Sequence, residues 1–246
     1  MDEVAGDGID QDCDGDDAEL VSNQFLFTRP VGSTAVIYKW NQETGDYTTW
    51  HSITANDADC NPAEGSSSAY SVEHYGDQVS MFAPGSGSGI SSATYTPYAY
   101  PKHVAMFNGE LIVMSRNDST IHRYDPVSLA HLGSFSVGSG SGQGVATDGE
   151  LLYASLWTGG SVTIKVFDDA YSPVTSYAKP SGMSENNLID MAYEQHTGTW
   201  FGIVTNGEHG TSTFSSTVIE FTMGGSVTAT HALPWSVDGI GVAGCD

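Results

Sequence analysis

Six aspartates crowd into eleven residues near the amino end, and their spacing is that of ligands around a metal ion. The segment 7–17 reads DGIDQDCDGDD, and its acids are Asp7, Asp10, Asp12, Asp14, Asp16 and Asp17. Carboxylates held this close repel one another unless a positive ion lies between them. Ca²⁺ suits such a donor set, because it takes about six to eight oxygen ligands at about 2.3–2.6 Å.

The order of these acids matches the first half of a calcium loop of the EF-hand kind. Counting from Asp10, aspartates occupy positions one, three and five, Gly15 occupies position six, and Asp16 can offer its carbonyl at position seven. Position twelve is Val21 instead of a glutamate, so other acids of the segment must complete the shell. We predict an Asp-rich calcium-binding loop over residues 1–20. The alternative is an acidic, solvated segment that holds no fixed ion.

The composition restricts the partners that this chain can have. Thirty Asp and Glu stand against seven Lys and Arg, which gives a formal net charge of −23. Such a surface repels phosphate backbones and attracts divalent cations, so we expect no nucleic-acid partner. No run approaches the roughly 18 consecutive apolar residues of a membrane span, so we also expect no membrane insertion.

The cysteines favour an extracellular protein. Cys13, Cys60 and Cys245 are widely spaced and form no CxxC pair, which excludes a zinc ribbon and a thioredoxin-like motif. One disulfide with one odd thiol is more typical of a secreted protein than of a cytosolic one. No basic and then apolar leader precedes the acids, so we expect the mature part of an exported protein.

The body of the chain is a repeat of short strands. Two segments that start at His103 and Gln143 each contain an apolar strand, a tight turn, a second strand and a third strand that ends in an aromatic residue and Asp. The turns are Asn108-Gly109 and Asp148-Gly149, which predict two-residue hairpins with positive φ at both central positions. In this alignment His103 and Gln143 are equivalent.

The repeat predicts an all-β propeller over residues 21–246. Its period of about 40 residues is that of a four-stranded propeller blade. Further copies follow at 186–233 and, more weakly, at 70–100, and the segment 23–53 supplies three more strands. The segment 238–244 can supply the missing strand, so that the carboxyl-terminal strand closes the ring and leaves no open edge. We expect about five blades, with six as the alternative.

The acidic segment resembles a metal-binding motif of exported bacterial proteins. Residues 6–15, GDGIDQDCDG, are similar to the DGIDNDCDG motif of MopE-like and myxobacterial secreted proteins, with Gln11 in place of Asn. The family usually carries another cysteine just upstream, where this chain has Ala5. The resemblance implies a metal-binding secreted or cell-surface protein. It also implies a copper alternative, in which His51 beside Trp50 and His231 near Trp235 are the candidate residues.

Four polar residues are candidates for a ligand site at the mouth of the central channel. They stand at the beginning of predicted inner strands and are His103, Gln143, Asp190 and Asp238, and Tyr70 shares their predicted position. Asp190 interrupts the apolar run LIDMAY, so it either caps a turn of the blade or binds a cation or sugar in the channel. A structural role is the simpler interpretation of such a residue.

No enzymatic motif is present, and we expect a binding or structural module. The sequence contains no Gly-x-Ser-x-Gly, no His-Glu-x-x-His and no Rossmann glycine pattern. The expected partners are a divalent cation and other protein subunits or domains, with carbohydrate as a further possibility suggested by the tyrosine-rich strands. The competing class is a propeller enzyme, a lyase or glycan hydrolase, that works at the channel mouth.

Overall fold

A computed structural model describes most of the predicted propeller. The described residues are 24–31, 34–41, 44–53, 57–59, 69–73, 77–82, 89–94, 100–117, 119–183, 187–195, 197–205 and 216–242. The six aspartates of the amino-terminal segment, the predicted domain boundary after residue 20 and all three cysteines lie outside these ranges. The calcium loop and the disulfide therefore stay predictions.

The described residues form twenty strands in five four-stranded antiparallel sheets, which we number I to V. Sheet I contains β1 (Gln24–Val31), β2 (Thr34–Asn41), β3 (Tyr47–Ile53) and β20 (Gly239–Val242). Sheet II contains β4 (Asp57–Asp59), β5 (Ala69–Glu73), β6 (Gln78–Phe82) and β7 (Gly89–Thr94). Sheet III contains β8 (Pro101–Phe107), β9 (Glu110–Ser115), β10 (Thr120–Tyr124) and β11 (His131–Ser136).

Sheets IV and V follow in the same manner. Sheet IV contains β12 (Ser141–Thr147), β13 (Leu152–Thr158), β14 (Ser161–Phe167) and β15 (Pro173–Ala178). Sheet V contains β16 (Leu188–Glu194), β17 (Thr199–Thr205), β18 (Ser216–Phe221) and β19 (Val227–Ala232). Within the described part of the chain, no helix is long and apolar enough to cross a membrane.

The first strand of each sheet lies beside the first strand of the next. Strand β4 contacts β8, β8 contacts β12, β12 contacts β16, β16 contacts β20, and β20 contacts β4. Sheets II to V run in chain order from this inner strand outward, whereas sheet I has the order β20-β1-β2-β3. Four-stranded sheets that meet at their first strands around a common axis form a β-propeller. The prediction of an all-β propeller is confirmed.

Apolar side chains on both faces of the sheets hold neighbouring sheets together. Along β8, Val104 and Met106 pack in a cluster with sheet II, whereas Ala105 and Phe107 pack in a cluster with sheet IV. Successive side chains of a strand point to opposite faces, so a strand between two neighbours must be apolar at nearly every position. This requirement explains the unbroken apolar runs that mark the repeats.

One of the two predicted hairpin turns has a different form. Asn108 and Gly109 have φ of 53° and 70°, so the two-residue turn between β8 and β9 is confirmed. The prediction for Asp148-Gly149 is wrong, because β12 and β13 pair from Thr147 to Leu152 and leave four residues in the loop. The Asp148 carboxylate accepts the N–H groups of residues 150 and 151 at 3.0 and 2.8 Å, which stabilises this longer loop.

A polar contact joins sheets III and IV near their outer halves. The Tyr171 hydroxyl donates to Glu110 Oε2 at 2.6 Å, and Arg123 Nη1 donates to the same oxygen at 3.2 Å. The Arg123 guanidinium also lies over the Tyr171 ring, 4.6 Å from its centre. Burial is the first cause that raises the pKa of Tyr171 above its ordinary 10.0, and the hydrogen bond to Glu110 is the second.

Replacing Tyr171 by Phe should change how stability responds to alkaline pH. The folded protein holds the Tyr171 proton more firmly than the unfolded chain does, so Tyr171 contributes no pH dependence below about pH 10 and lowers the free energy of unfolding above it. This loss should reach only a fraction of roughly 1.4 kcal/mol per pH unit, because the side chain is half-buried. In Tyr171→Phe the slope should diminish, while the lost hydrogen bond should cost about 1 kcal/mol at neutral pH.

Urea unfolding at a series of pH values between 7 and 11 measures both effects. Tyr100→Phe is the matched control, because Tyr100 is 43% exposed and lies outside this contact. If the free energy of unfolding fell equally with alkaline pH in wild type and in Tyr171→Phe, the raised pKa of Tyr171 would be contradicted.

Candidate functional site

Three successive inner strands carry a β-bulge at the same place. The pairing with the second strand shifts between residues 101 and 103 in β8, between 142 and 144 in β12, and between 188 and 190 in β16. A bulge leaves one extra residue on the bulged strand and redirects the side chains around it. The three bulges therefore define equivalent positions on neighbouring inner strands.

The positions of these bulges shift the alignment of the two repeats that start at His103 and Gln143 by one residue. The inserted residues are Lys102, Gln143 and Ile189, and the residues that follow them are His103, Gly144 and Asp190. His103 is therefore equivalent to Gly144 and not to Gln143. The alignment was wrong because it assumed equal hairpins, whereas the loop between β12 and β13 is longer.

His103 and Asp190 meet although they belong to sheets that are not neighbours. His103 Nδ1 lies 3.0 Å from Asp190 Oδ2, and each side chain is 1% exposed. Strand β12 of sheet IV lies between β8 and β16, and Gly144 is the residue at the crossing. A Cβ at Gly144 would come within 2.6 Å of both the Cα and Oδ1 of Asp190. The absence of a side chain at Gly144 is what allows the pair to form.

The Asp190 carboxylate also binds the inner strand of sheet I. The backbone N–H of Ile240, on β20, donates to Asp190 Oδ2 at 2.8 Å. One buried carboxylate thus contacts β8, β12 and β20 from its own position on β16. A buried carboxylate is stable only where such donors replace water, so these contacts explain how Asp190 is accommodated.

A second buried contact joins β8 and β12. Lys102 Nζ donates to Gln143 Oε1 at 3.0 Å, and the two residues are 5% and 6% exposed. The Gln143 amide nitrogen donates in turn to the Ser141 hydroxyl at 3.2 Å. The inserted residues of two bulges therefore bond to each other across the boundary between sheets III and IV.

The two remaining predicted positions, Asp238 and Tyr70, have different surroundings. Asp238 is 3% exposed and directly precedes β20, at the same end of the inner strands as His103 and Asp190. Tyr70 lies on β5, a second strand, and its hydroxyl donates to the Pro126 carbonyl at 3.1 Å. Tyr70 therefore belongs to the boundary between sheets II and III, and its predicted place at the channel mouth is wrong.

The geometry of the inner strands favours a structural role for these residues over a ligand site. A carboxylate beside an imidazole is a common catalytic pair, but side chains that are 1% exposed are closed to a substrate. No three of the described His, Cys, Asp and Glu side chains meet in an arrangement that could hold a metal ion. The network instead connects inner strands of four sheets.

One histidine considered for copper has a different environment. His231 Nε2 lies 2.6 Å from Glu220 Oε1, and the His231 ring meets the edge of Trp40 at a centroid distance of 5.3 Å. Trp235 stacks on Tyr38 at 4.6 Å. These residues form an aromatic cluster where sheet V meets sheet I. The side chains of Trp50 and His51 lie outside the described part of the structure.

Sequence reasoning missed Lys102 and Gly144. Lys102 was a charged residue at the start of an apolar strand, which is a signal of a buried polar contact that could have been noticed. Gly144 stood in the run GSGSGQG, whose composition is typical of a loop. Only the folded structure, in which β12 lies between β8 and β16, shows that a side chain at position 144 would have no room.

Comparison with known proteins identifies the fold and no family. No protein-family model matches this chain, and no curated protein matches it. It is similar to a chain of a nidogen–laminin complex, with 11% identity over 90% of this chain and 98% of that chain, and a TM-score of 0.59.

Two further solved structures were found at similar identity. Hydrazine synthase of Kuenenia stuttgartiensis is 14% identical over 73% of this chain, with a TM-score of 0.52, and this chain spans 49% of that one. The WD40 domain of a coronin from Toxoplasma gondii is 12% identical over 86% of this chain and 57% of that chain, with a TM-score of 0.48. At 11% and 14% identity, the likeness to the chain of the nidogen–laminin complex and to hydrazine synthase concerns the fold alone.

Replacing Gly144 by Ala should destabilise the protein strongly. The new Cβ would meet backbone and carboxylate of Asp190 at 2.6 Å, so β12 and β16 must separate or the His103 contact must break. Overpacking of this kind costs about 1–3 kcal/mol, and we expect the upper part of that range. Chemical denaturation measures the change. Gly89→Ala is the control, since nothing lies within 4 Å of that Cβ. If Gly144→Ala and Gly89→Ala were equally stable, the close approach of Gly144 to Asp190 would be refuted.

Proposed function

We propose that this chain is a binding and interaction module, built as a five-bladed propeller that its carboxyl-terminal strand closes. The observation that carries the proposal is the burial of His103, Gln143, Asp190 and Asp238, none more than 6% exposed. Because these four residues are buried, recognition falls to the outer surfaces of the disc. The fold shared with a chain of a nidogen–laminin complex is consistent with protein partners.

Pairing between the first and the last strand supports the closed ring. Strand β20 pairs with β1 from Phe25–Val242 to Thr28–Gly239. The Ile240 N–H bond to Asp190 then attaches β20 to sheet V. With this arrangement each of the five sheets has four strands, and the inner edge of β1 is covered.

The outer strands offer surfaces for other subunits or domains. Strands β11, β15 and β19 expose most or alternate side chains to solvent, and large apolar residues are exposed at several places on sheets III and IV. They are Tyr100, Val127, Leu132, Trp157 and Val174. Exposed apolar and aromatic side chains are typical of protein-binding surfaces, and Trp157 and Tyr100 could also stack against a carbohydrate.

We further propose that the acidic segment binds Ca²⁺ and that the protein works outside the cell or at its surface. The alternate aspartates of residues 7–17, the glycine at the sixth loop position and the net charge of −23 support calcium. The odd number of cysteines and the resemblance to exported proteins support secretion. A bound ion would stiffen the segment that precedes the propeller.

Two alternatives remain distinct proposals. A MopE-like copper protein rests on the resemblance at residues 6–15 and on the eight histidines of the chain. A propeller lyase or glycan hydrolase would need an open site at the channel, and the burial of Asp190 and His103 argues against those two residues as its catalytic groups.

Replacing Asp190 should separate the structural role from a ligand site. Asp190→Ala should lower the free energy of unfolding by about 3–5 kcal/mol, because it leaves His103 and the Ile240 N–H without their buried partner. Asp190→Asn keeps the shape and should cost less. Thermal and urea unfolding measure both, and polysaccharide cleavage assays on the folded Asn variant serve as the second measurement. A stable Asn variant that loses a cleavage activity of the wild type would replace our proposal with the enzyme.

Calorimetry should detect Ca²⁺ binding by the acidic segment. Isolated extracellular calcium modules bind with Kd of about 10⁻⁴–10⁻³ M, so the titration must reach millimolar calcium. The double variant Asp12→Ala, Asp14→Ala removes two alternate ligands and should abolish the heat. Glu150→Gln changes an exposed acid of the propeller by one charge and should leave the heat unchanged. Absence of heat in the wild type would refute calcium binding.

A further inference from the structure

Two histidines lie side by side on the outer half of sheet III. His122 on β10 and His131 on β11 place Nδ1 and Nε2 of their rings 3.3 Å apart. His122 is 1% exposed, whereas His131 is exposed to solvent. The pair therefore has one rigid member and one member that an ion can reach from solution.

The separation of the two nitrogens suits a hydrogen bond and also suits two ligands of one metal ion. Two Zn–N bonds of about 2.0–2.1 Å at a tetrahedral angle place the nitrogens about 3.3–3.4 Å apart. Hydrogen bonds from N–H donors usually measure about 2.7–3.2 Å, with a maximum near 2.9–3.0 Å. The observed 3.3 Å is long for such a hydrogen bond and equals the edge length of a zinc tetrahedron.

The sheet holds the two rings in this arrangement without an ion. His131 is the pairing partner of Tyr124, and His122 pairs with Ser134 on the same two strands. The ring of Tyr124 meets the His131 ring edge-on, with the centroids 5.3 Å apart. Ligands whose positions are fixed by packing lose little freedom when a metal binds, so a preorganised pair favours binding.

The charges around the pair also favour a cation. Arg123 lies between His122 and Tyr124 in sequence, but side chains alternate along a strand, and Arg123 bonds Glu110 at 3.2 Å and lies over Tyr171. Its charge is thus directed to the opposite face of the sheet. The net charge of −23 raises the local concentration of divalent cations at the surface.

We propose that His122 and His131 form a binding site for a divalent transition-metal ion of the zinc type. His122 Nδ1 and His131 Nε2 are the two protein ligands, and water completes the tetrahedron on the solvent side of His131. Imidazole nitrogen suits such ions, whereas Ca²⁺ requires oxygen ligands. The site is therefore chemically separate from the acidic segment, and either can exist without the other.

Zinc titration of the full chain tests the site. Calorimetry is performed with Zn²⁺ in excess Ca²⁺, so that the acidic segment is saturated and reports no zinc. The wild type should bind one equivalent of Zn²⁺ that His131→Gln loses or binds at least tenfold more weakly. His131 is exposed, so its replacement should leave the fold intact, and a cooperative thermal unfolding transition without zinc checks this.

A control variant and a spectroscopic measurement test whether His122 and His131 are the zinc ligands. His231→Gln replaces another histidine of an outer strand and should retain the zinc equivalent. Imidazole NMR signals of the wild type should shift with Zn²⁺ for two histidines, one of which is the signal missing in His131→Gln. Zinc binding that is absent from the wild type, unchanged in His131→Gln or lost in His231→Gln overturns the proposal.

Discussion

The carboxylate of Asp190 is the contact on which the arrangement of the inner strands depends. It meets His103 of sheet III across a glycine of sheet IV and accepts a backbone N–H from β20 of sheet I. Apolar clusters press neighbouring sheets together but tolerate sliding, because apolar contact has no direction. A buried carboxylate requires its donors at defined distances, so Asp190 sets the relative positions of strands that the apolar clusters only bring close.

This arrangement has a cost that the surrounding residues offset. A charge in the interior is unfavourable unless it is paired and hydrogen-bonded, and the same is true of the Lys102 amine beside Gln143. Both contacts lie at bulges, where the extra residue turns a side chain out of the regular alternation. The bulges are thus the local feature of the strands that makes a polar connection between apolar sheets possible.

The repeat pattern predicted the all-β propeller because apolar runs, hairpin turns and aromatic–Asp endings are local signals. The Asn108-Gly109 turn followed from residue type alone, since both positions require positive φ. The Asp148 loop did not, because there the carboxylate bonds the backbone and lengthens the turn. His103 and Asp190 were recognised as polar residues in apolar strands, but their contact depends on Gly144, which comes close to Asp190 only in the folded structure.

The chain has few basic residues, and the contacts that two of them make inside the fold affect the charge balance of the surface. Of the seven Lys and Arg, Lys102 is buried beside Gln143 and Arg123 is bound to Glu110, so these two charges neutralise little of the outer surface. The thirty Asp and Glu of the chain then have few basic residues to balance them, and mutual repulsion opposes the compact state. Salt screens repulsion between exposed charges. The stability of so acidic a propeller should therefore depend on the ionic strength of its medium, independently of any bound ion.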